Sequence, residues 1–283
     1  ILKLRGKRMR PAITLLSGRL YPSNNHETLI PMAAGIELLH TATLVHDDTI
    51  DNCQLRRGTA TANSIWNSST VVLVGDYLFA NAAYLVSTTG SVLAMRLFAQ
   101  ALMVVCSGEL RQNHSSFDWQ QSRESYYQRI GRKTASLFSI AAETGGVLSG
   151  APTEKIAALH NYGHNLGLAF QIVDDVLDFA GDEKEMGKPV GSDLAQGTMT
   201  LPSILLVEKY PKNNPIQEAF ANGNSRALEK AIEMIRDSSI IDDSYAVAVS
   251  FCDKARADLE ELPDCPCRSS LLELLDYVTE RRK

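Results

Sequence analysis

The chain has 283 residues, 45% of them hydrophobic, enough to bury a sizeable core as one large domain or two small ones. A formal net charge of -5 excludes a general nucleic-acid surface, because backbone-phosphate binding needs a broad excess of Lys and Arg, so any anionic ligand must be held locally. Five cysteines at irregular spacings suit reduced thiols better than a disulfide framework, Cys265-Pro-Cys267 reading as a loop detail, and with no signal peptide and no unbroken apolar run of ~18 residues the expected location is the cytoplasm.

In chain order, the sequence opens at Ile1 without a methionine and meets a motif at Gly6, so its start is expected to be trimmed. A reciprocal capping pattern at Asn24 and Glu27 predicts a helix start, followed by apolar residues at helical intervals, among them Ile36, Leu39 and Leu44. The valine run 71–74 and the run Val92, Met95, Leu97, Leu102, Val105 lie in helical patterns, and Asp118 with Gln121 repeats the capping pattern. Ala246 to Val249 also reads as helix, for want of hairpin turn signals around it. Proline and glycine cluster only in short stretches, none of linker length, so a single helical domain over residues 1–283 is expected. One short pattern, Asp-Asp-x-x-Asp, occurs twice.

The first copy, Asp47, Asp48 and Asp51, ends the apolar stretch Ile36 to Val45, and the second, Asp174, Asp175 and Asp178, ends the stretch Leu166 to Val173. Acids four residues apart share one helix face, separated by ~6 Å of rise. Two such faces turned toward each other would make an acidic pocket. Crowded carboxylates on an apolar helix repel one another unless neutralised, and a hard divalent cation such as Mg2+ is the natural partner, since it takes one or two carboxylates and completes its shell with water and phosphate. One cluster alone would read as a solvated acidic helix end; two matching clusters favour metal. Basic residues answer them at Gly6-Lys7-Arg8-Met9-Arg10-Pro11 and at Arg56-Arg57-Gly58, where guanidinium forks suit phosphate oxygens, although either stretch alone would read as a solvated basic face.

These residues resemble the trans-isoprenyl diphosphate synthases. The resemblance spans nearly the whole chain and rests on the two basic stretches, Leu39-His40-Thr41 leading to the first acidic cluster, Gly75-Asp76, Lys133-Thr134, Phe170-Gln171-Ile172-Val173 leading to the second, and Gly187-Lys188-Pro189 through Asp193-Leu194 to Thr200-Leu201-Pro202. It implies an all-α antiparallel helical bundle of the isoprenoid synthase type with a deep central cavity, Mg2+ as cofactor, and a homodimer. By position, Asp47, Asp51 and Asp174 would ligate metal directly, and Asp48, Asp175 and Asp178 would ligate, hold metal-bound water or orient the others. Lys7, Arg10, His40 and Arg57 would grip isopentenyl diphosphate; Arg56, Lys133 and Lys188 would bind the allylic diphosphate, with Thr134 and Gln171 lining the reacting centre. Many family members carry Gly-Lys where this chain has Gly197-Thr198, so one phosphate-contacting lysine is expected to be absent.

The implied reaction ionises an allylic diphosphate, farnesyl or geranylgeranyl, to a carbocation that isopentenyl diphosphate attacks, with residues 181–197 a candidate lid against water. Short-product members carry bulky aromatics four or five residues before the first aspartate, where this chain has Thr43 and Ala42, so a long product, hexaprenyl to decaprenyl, is expected. A bulky Leu102 or Met103 from a neighbouring helix could instead close the tunnel, and Ala42 could be ordinary small packing. Geranylgeranyl or farnesyl diphosphate synthase, a class I terpene cyclase and a non-catalytic regulatory subunit stand as alternatives. Membrane contact for release of a hydrophobic product is left open.

Overall fold

The computed structural model describes residues 6–21, 26–56, 59–112, 116–181, 189–212 and 214–281. The chain is almost wholly helical and divides into two compact units. The boundaries fall inside helices, so the single helical domain expected from sequence has no linker at the division.

The first unit comprises 1–103, 137–163 and 258–272. Helix α1 (Met9–Ser17) buries Met9, Ile13, Thr14 and Ser17. Helix α2 (His26–Ile50) buries Leu29, Met32, Ala33, Ile36, Leu39, Ala42 and Val45, a stripe with helical spacing. Two two-residue strands, β1 (Leu55–Arg56) and β2 (Thr59–Ala60), pair antiparallel. The short α3 (Ala62–Ile65), capped by the Thr61 hydroxyl, leads to α4 (Ser68–Ser87), capped by Asn67. Gly35 approaches Val86 and Ala82 at one end of α2, and His46 lies against Gly75 near the other, so α2 and α4 run antiparallel. A Cβ on Gly75 would stand 2.1 Å from His46 Nε2, so the missing side chain is what admits the imidazole.

Helix α5 (Val92–Gln112) is followed by α6 (Arg123–Ile130), a π-turn (Gly131–Ala135) and α7 (Ser136–Leu148). Helix α8 (Thr153–Ala180) crosses α7 so closely that a Cβ on Gly163 would lie 2.4 Å from the Phe138 carbonyl oxygen. The second unit, 104–136, 164–257 and 273–283, further contains α9 (Ser192–Ala195), α10 (Leu201–Lys209), α11 (Pro215–Asn222), α12 (Ser225–Arg236), most of α13 (Ile240–Glu260) and the end of α14 (Pro266–Glu280).

Both valine-containing runs expected to be helical lie in helices, α4 and α13. The capping expectation at Asp118 is corrected. Its Oδ1 accepts from the Gln120 backbone N–H at 3.0 Å, closing a local turn, and the helix begins later, where Ser122 Oγ accepts from Ser125 N. Asn24 lies outside the described residues. The expectation of no membrane-length apolar segment is also corrected: α2, α4 and Val92–Leu110 are long and apolar enough to cross a bilayer, with 44%, 28% and 28% of their apolar windows buried. Isolated charges such as Glu37 in α2 and Asp76 in α4 interrupt these otherwise apolar helices, so no unbroken apolar run reaches that length.

Candidate active site

In the first unit, the acids sit where α2 ends. Asp47 is half-buried, Asp48 is 7% exposed and Asp51 lies on the surface, its backbone N–H bonded to the Asp47 carbonyl at 2.9 Å. This is the negative end of the helix dipole, and α2 carries no basic residue in its last turn. Carboxylates there cost stability unless a cation answers them. His46 anchors the segment to α4: Nε2 donates to the Val72 carbonyl at 3.2 Å, lies 3.6 Å from Asp76 Oδ1, and the ring lies tilted against Phe79 with centroids 5.2 Å apart. Gly75 and Asp76 thus act through His46.

His40 and Thr43 are half-buried on α2, Thr43 donating its hydroxyl to the His40 carbonyl at 2.7 Å. Counting back from Asp47 at ~100° per residue, Thr43 falls about 40° from the acidic face and Ala42 about 140° from it. Ala42 is fully buried with Val45, Val71 and Leu78 between α2 and α4, the ordinary packing position that was its alternative reading. Met103 is 64% exposed, so it does not serve as a tunnel floor within this chain; Leu102 is half-buried.

Lys7 is exposed just before α1, and Arg10 on α1 stacks over Phe138, its Cζ 4.5 Å from the ring centroid. Arg8 between them takes a left-handed backbone, φ 50°, and pairs with Glu37 of α2. A non-glycine residue there is strained and is held in place by its surroundings. The backbone of Arg56 lies in β1; Arg57, Gly58 and Lys188 lie outside the described residues.

In the second unit the sequence-predicted residues are joined by hydrogen bonds. The π-turn widens the helix at Lys133 and Thr134, a device frequent at functional sites. Thr134 Oγ1 donates to Gln171 Oε1 at 2.7 Å, and Gln171 Nε2 donates to Asp175 Oδ1 at 2.7 Å. Tyr126 closes the chain by donating its hydroxyl to Asp175 Oδ2 at 2.7 Å. Lys133 Nζ lies 2.7 Å from Glu109 Oε2. Burial, and next the charge of Asp193, push the Asp175 carboxyl up to about 7, while the bonds from Tyr126 and Gln171 pull it back. Burial likewise holds the Tyr126 phenol well above its ordinary value. Asp178, 1% exposed, accepts the Asp193 backbone N–H on Oδ2 at 3.1 Å, and its carbonyl accepts Gly191 N–H at 2.9 Å. Asp174 is the outward member, 37% exposed and paired with Arg281.

Sequence reasoning missed Tyr126, Arg129 and Arg281. Arg129 stacks on Tyr126 and donates to the Met199 carbonyl and to Gln121 Oε1. Of the candidate lid, residues 182–188 lie outside the described residues; Gly191 and Asp193 are tied to Asp178, and the Gly197 carbonyl accepts the Phe117 N–H at 2.9 Å. Thr198, the departure from the family pattern, is half-buried, its N–H bonded to the Asp193 carbonyl at 2.9 Å.

Magnesium fits these residues as a sparsely held ion. Each cluster offers only hard oxygen donors, at the C-terminal part of a helix with no basic residue in its last turn. Among the described residues no three acidic, histidine or cysteine side chains form a ready metal cage. An ion that takes few carboxylates and completes its shell from water and phosphate suits that arrangement.

The family model described as Polyprenyl synthetase matches residues 1–237. The chain belongs to the polyprenyl synthetase family. As a member of that family it has the all-α isoprenoid synthase fold and is a prenyltransferase. It is 37% identical to the octaprenyl diphosphate synthase of Escherichia coli (strain K12) over 281 residues, 98% of this chain and 86% of that one. With the heptaprenyl diphosphate synthase component 2 of Bacillus subtilis (strain 168) it shares 35% over 282 residues, 100% of this chain and 81% of the relative. The crystal structure of heptaprenyl diphosphate synthase from Staphylococcus aureus matches with TM-score 0.94 and 38% identity, covering 99% of this chain and 88% of that one.

Proposed function

We propose that this polyprenyl synthetase condenses isopentenyl diphosphate with an allylic prenyl diphosphate, farnesyl or geranylgeranyl, in successive trans additions that give a hexaprenyl to decaprenyl product. The observation that carries the reading is that both Asp-Asp-x-x-Asp clusters stand toward the negative ends of long helices that supply no cation of their own in the last turn. The long product is supported by the small Thr43, one turn ahead of Asp47 and near its face, and by the octaprenyl and heptaprenyl products for which the similar synthases are named.

Asp47, Asp51 and Asp174 are the direct ligands in this reading, since they are the members reachable from solvent. Asp48, Asp175 and Asp178 orient them, and the last two already engage oxygens with protein donors. Bound Mg2+ supplies neutralising charge to the departing diphosphate. Lys133, steered by Glu109, and Arg56 and Lys188 hold the allylic diphosphate; Lys7, Arg10, His40 and Arg57 hold the isopentenyl diphosphate. The allylic C1–O bond breaks, the isopentenyl double bond forms the new C–C bond, and the proton then lost passes to the released diphosphate. The Thr134–Gln171 pair would present an aimed amide carbonyl beside the reacting carbon from a part-buried position.

A homodimer is the proposed assembly, supported by an unpartnered apolar surface: Leu73, Tyr77 and Tyr84 of α4 are 68%, 69% and 68% exposed, and Val92 and Met103 of α5 are 75% and 64%. The five cysteines form no disulfide, which favours a reducing compartment such as the cytoplasm.

The test is incubation with Mg2+, isopentenyl diphosphate and farnesyl diphosphate, followed by mass spectrometry. A polyprenyl diphosphate of about six to ten isoprene units is expected, and turnover is expected to stop on chelation. Products ending at geranylgeranyl length would instead favour the short-chain alternative, and full turnover in EDTA would overturn the mechanism.

A further inference from the structure

The end of the chain places a cation on the second acidic cluster. Arg281 follows directly on α14, and its Nη2 donates to Asp174 Oδ1 at 2.6 Å. The guanidinium lies over Phe170, Cζ 4.9 Å from the ring centroid, and the Arg281 carbonyl accepts the Tyr245 hydroxyl at 3.2 Å. Phe170 and Asp174 are one turn apart on α8, so ring and carboxylate form two walls of one slot. The Arg281 side chain is 17% exposed, yet its Nη1 is buried with no hydrogen-bond partner among the described residues. A bidentate arginine–carboxylate pair would satisfy both terminal nitrogens. Here one is left over, so the guanidinium is seated by charge and stacking in an incomplete site, a seat it can leave at modest cost.

We propose that Arg281 is an internal counter-cation that occupies Asp174 in the substrate-free protein and opposes divalent-cation binding there. The inference rests on Asp174 being a metal ligand, as argued under Proposed function. A fixed positive charge on one carboxylate oxygen repels a divalent ion approaching the other, so the ion binds fully only when the guanidinium moves away. The Phe170 ring and the Tyr245 anchor keep Arg281 close enough to return when the ion departs. Arg281 is thus a positioning residue whose effect on ion affinity has a definite sign. Were it only structural, its removal would loosen the site and weaken ion binding; as a competitor, its removal tightens it.

The experiment is a Mn2+ titration of the full chain without substrates, read by the electron paramagnetic resonance of free Mn2+. Arg281→Gln is expected to tighten binding by roughly threefold or more, as for a part-buried ion pair, while Arg281→Lys stays near wild type. Asp174→Asn is expected to weaken binding and to abolish the effect of Arg281→Gln when the two are combined. Unchanged or weaker binding in Arg281→Gln, with Asp174→Asn still weakening it, overturns the counter-cation role alone. Unchanged binding in Asp174→Asn overturns the metal assignment and this inference with it. Should Arg281→Gln fail to fold by circular dichroism, Phe170→Leu, which removes the stacking wall, takes its place with the same expected tightening, and its absence overturns the role equally.

Discussion

Replacing Tyr126 by phenylalanine removes one oxygen from the buried centre of the second unit. Tyr126 is 0% exposed and Asp175 4%, and the hydroxyl donates to Asp175 Oδ2 at 2.7 Å, so the bond is made out of reach of bulk solvent. Losing the bond and leaving a carboxyl oxygen unsatisfied costs about 1–3 kcal/mol. The penalty should also depend on pH. The folded carboxyl of Asp175 lies at about 7, above its unfolded value, so the folded state binds the extra proton and wild-type stability falls as pH rises from the ordinary carboxylate range to about 7, then levels off. The Tyr126 bond pulls that value down; without it the carboxyl rises further, and the variant goes on losing stability above pH 7, where the wild type no longer does. Urea unfolding of metal-free protein at about pH 5.5 and about pH 8.5 measures both parts, with the m-value expected to stay constant. A penalty below about 0.5 kcal/mol, or one equal at the two pH values, would refute the account of Asp175 as a raised carboxyl held by Tyr126.

Thr43→Phe is expected to shorten the product, read by mass spectrometry, because position 43 is half-buried and returns to within about 40° of the Asp47 face; an unchanged chain length would remove Thr43 from the specificity account. Gly163→Ala should lower the melting temperature, with a loss on the order of 3 kcal/mol, since its Cβ would meet backbone atoms, Phe138 O at 2.4 Å and Ser139 Cα at 2.7 Å, and backbone cannot rotate away. At about pH 8 in the native state, a thiol reagent followed by peptide mapping should label exposed Cys106 and spare Cys252, whose thiol burial pushes up to about 12; equal labelling would contradict that burial.

What was legible in the sequence was local. The i, i+4 aspartates at the ends of apolar helices announce themselves within five residues, and the valine runs resolve as helices because their surroundings carry a 3.6 period. What was not legible depends on distance along the chain. Tyr126 meets Asp175 across 49 residues and Arg281 meets Asp174 across 107, and neither has a neighbour in sequence that hints at the partner. The β1–β2 pair is too short to show a two-residue alternation, and nothing around Gly131 marks the π-turn. Asp118 and Ser122 both fit a capping position; the competition was settled by the Gln120 N–H, which takes the Asp118 side chain into a turn of its own. Helical phase did separate Thr43 from Ala42, since four residues return close to the Asp47 face and five do not.

The two copies of Asp-Asp-x-x-Asp are equal in sequence and unequal in structure. In the first, Asp47 is half-buried and Asp51 exposed. In the second, Asp175 has both oxygens engaged by Tyr126 and Gln171, Asp178 has one on the backbone of Asp193, and Asp174 faces Arg281. The middle and last acids of that copy are therefore structural as well as chemical, because they tie the π-turn and the segment after α8 to one helix. A carboxylate that accepts two hydrogen bonds of 2.7 Å is already oriented, so under the proposed function little ordering would remain to be done on binding. In the proposed counter-cation role the outer acid, not the inner pair, carries the reversible contact: moving Arg281 off Asp174 breaks one part-buried bond, whereas moving anything off Asp175 would undo a network centred on a buried carboxyl.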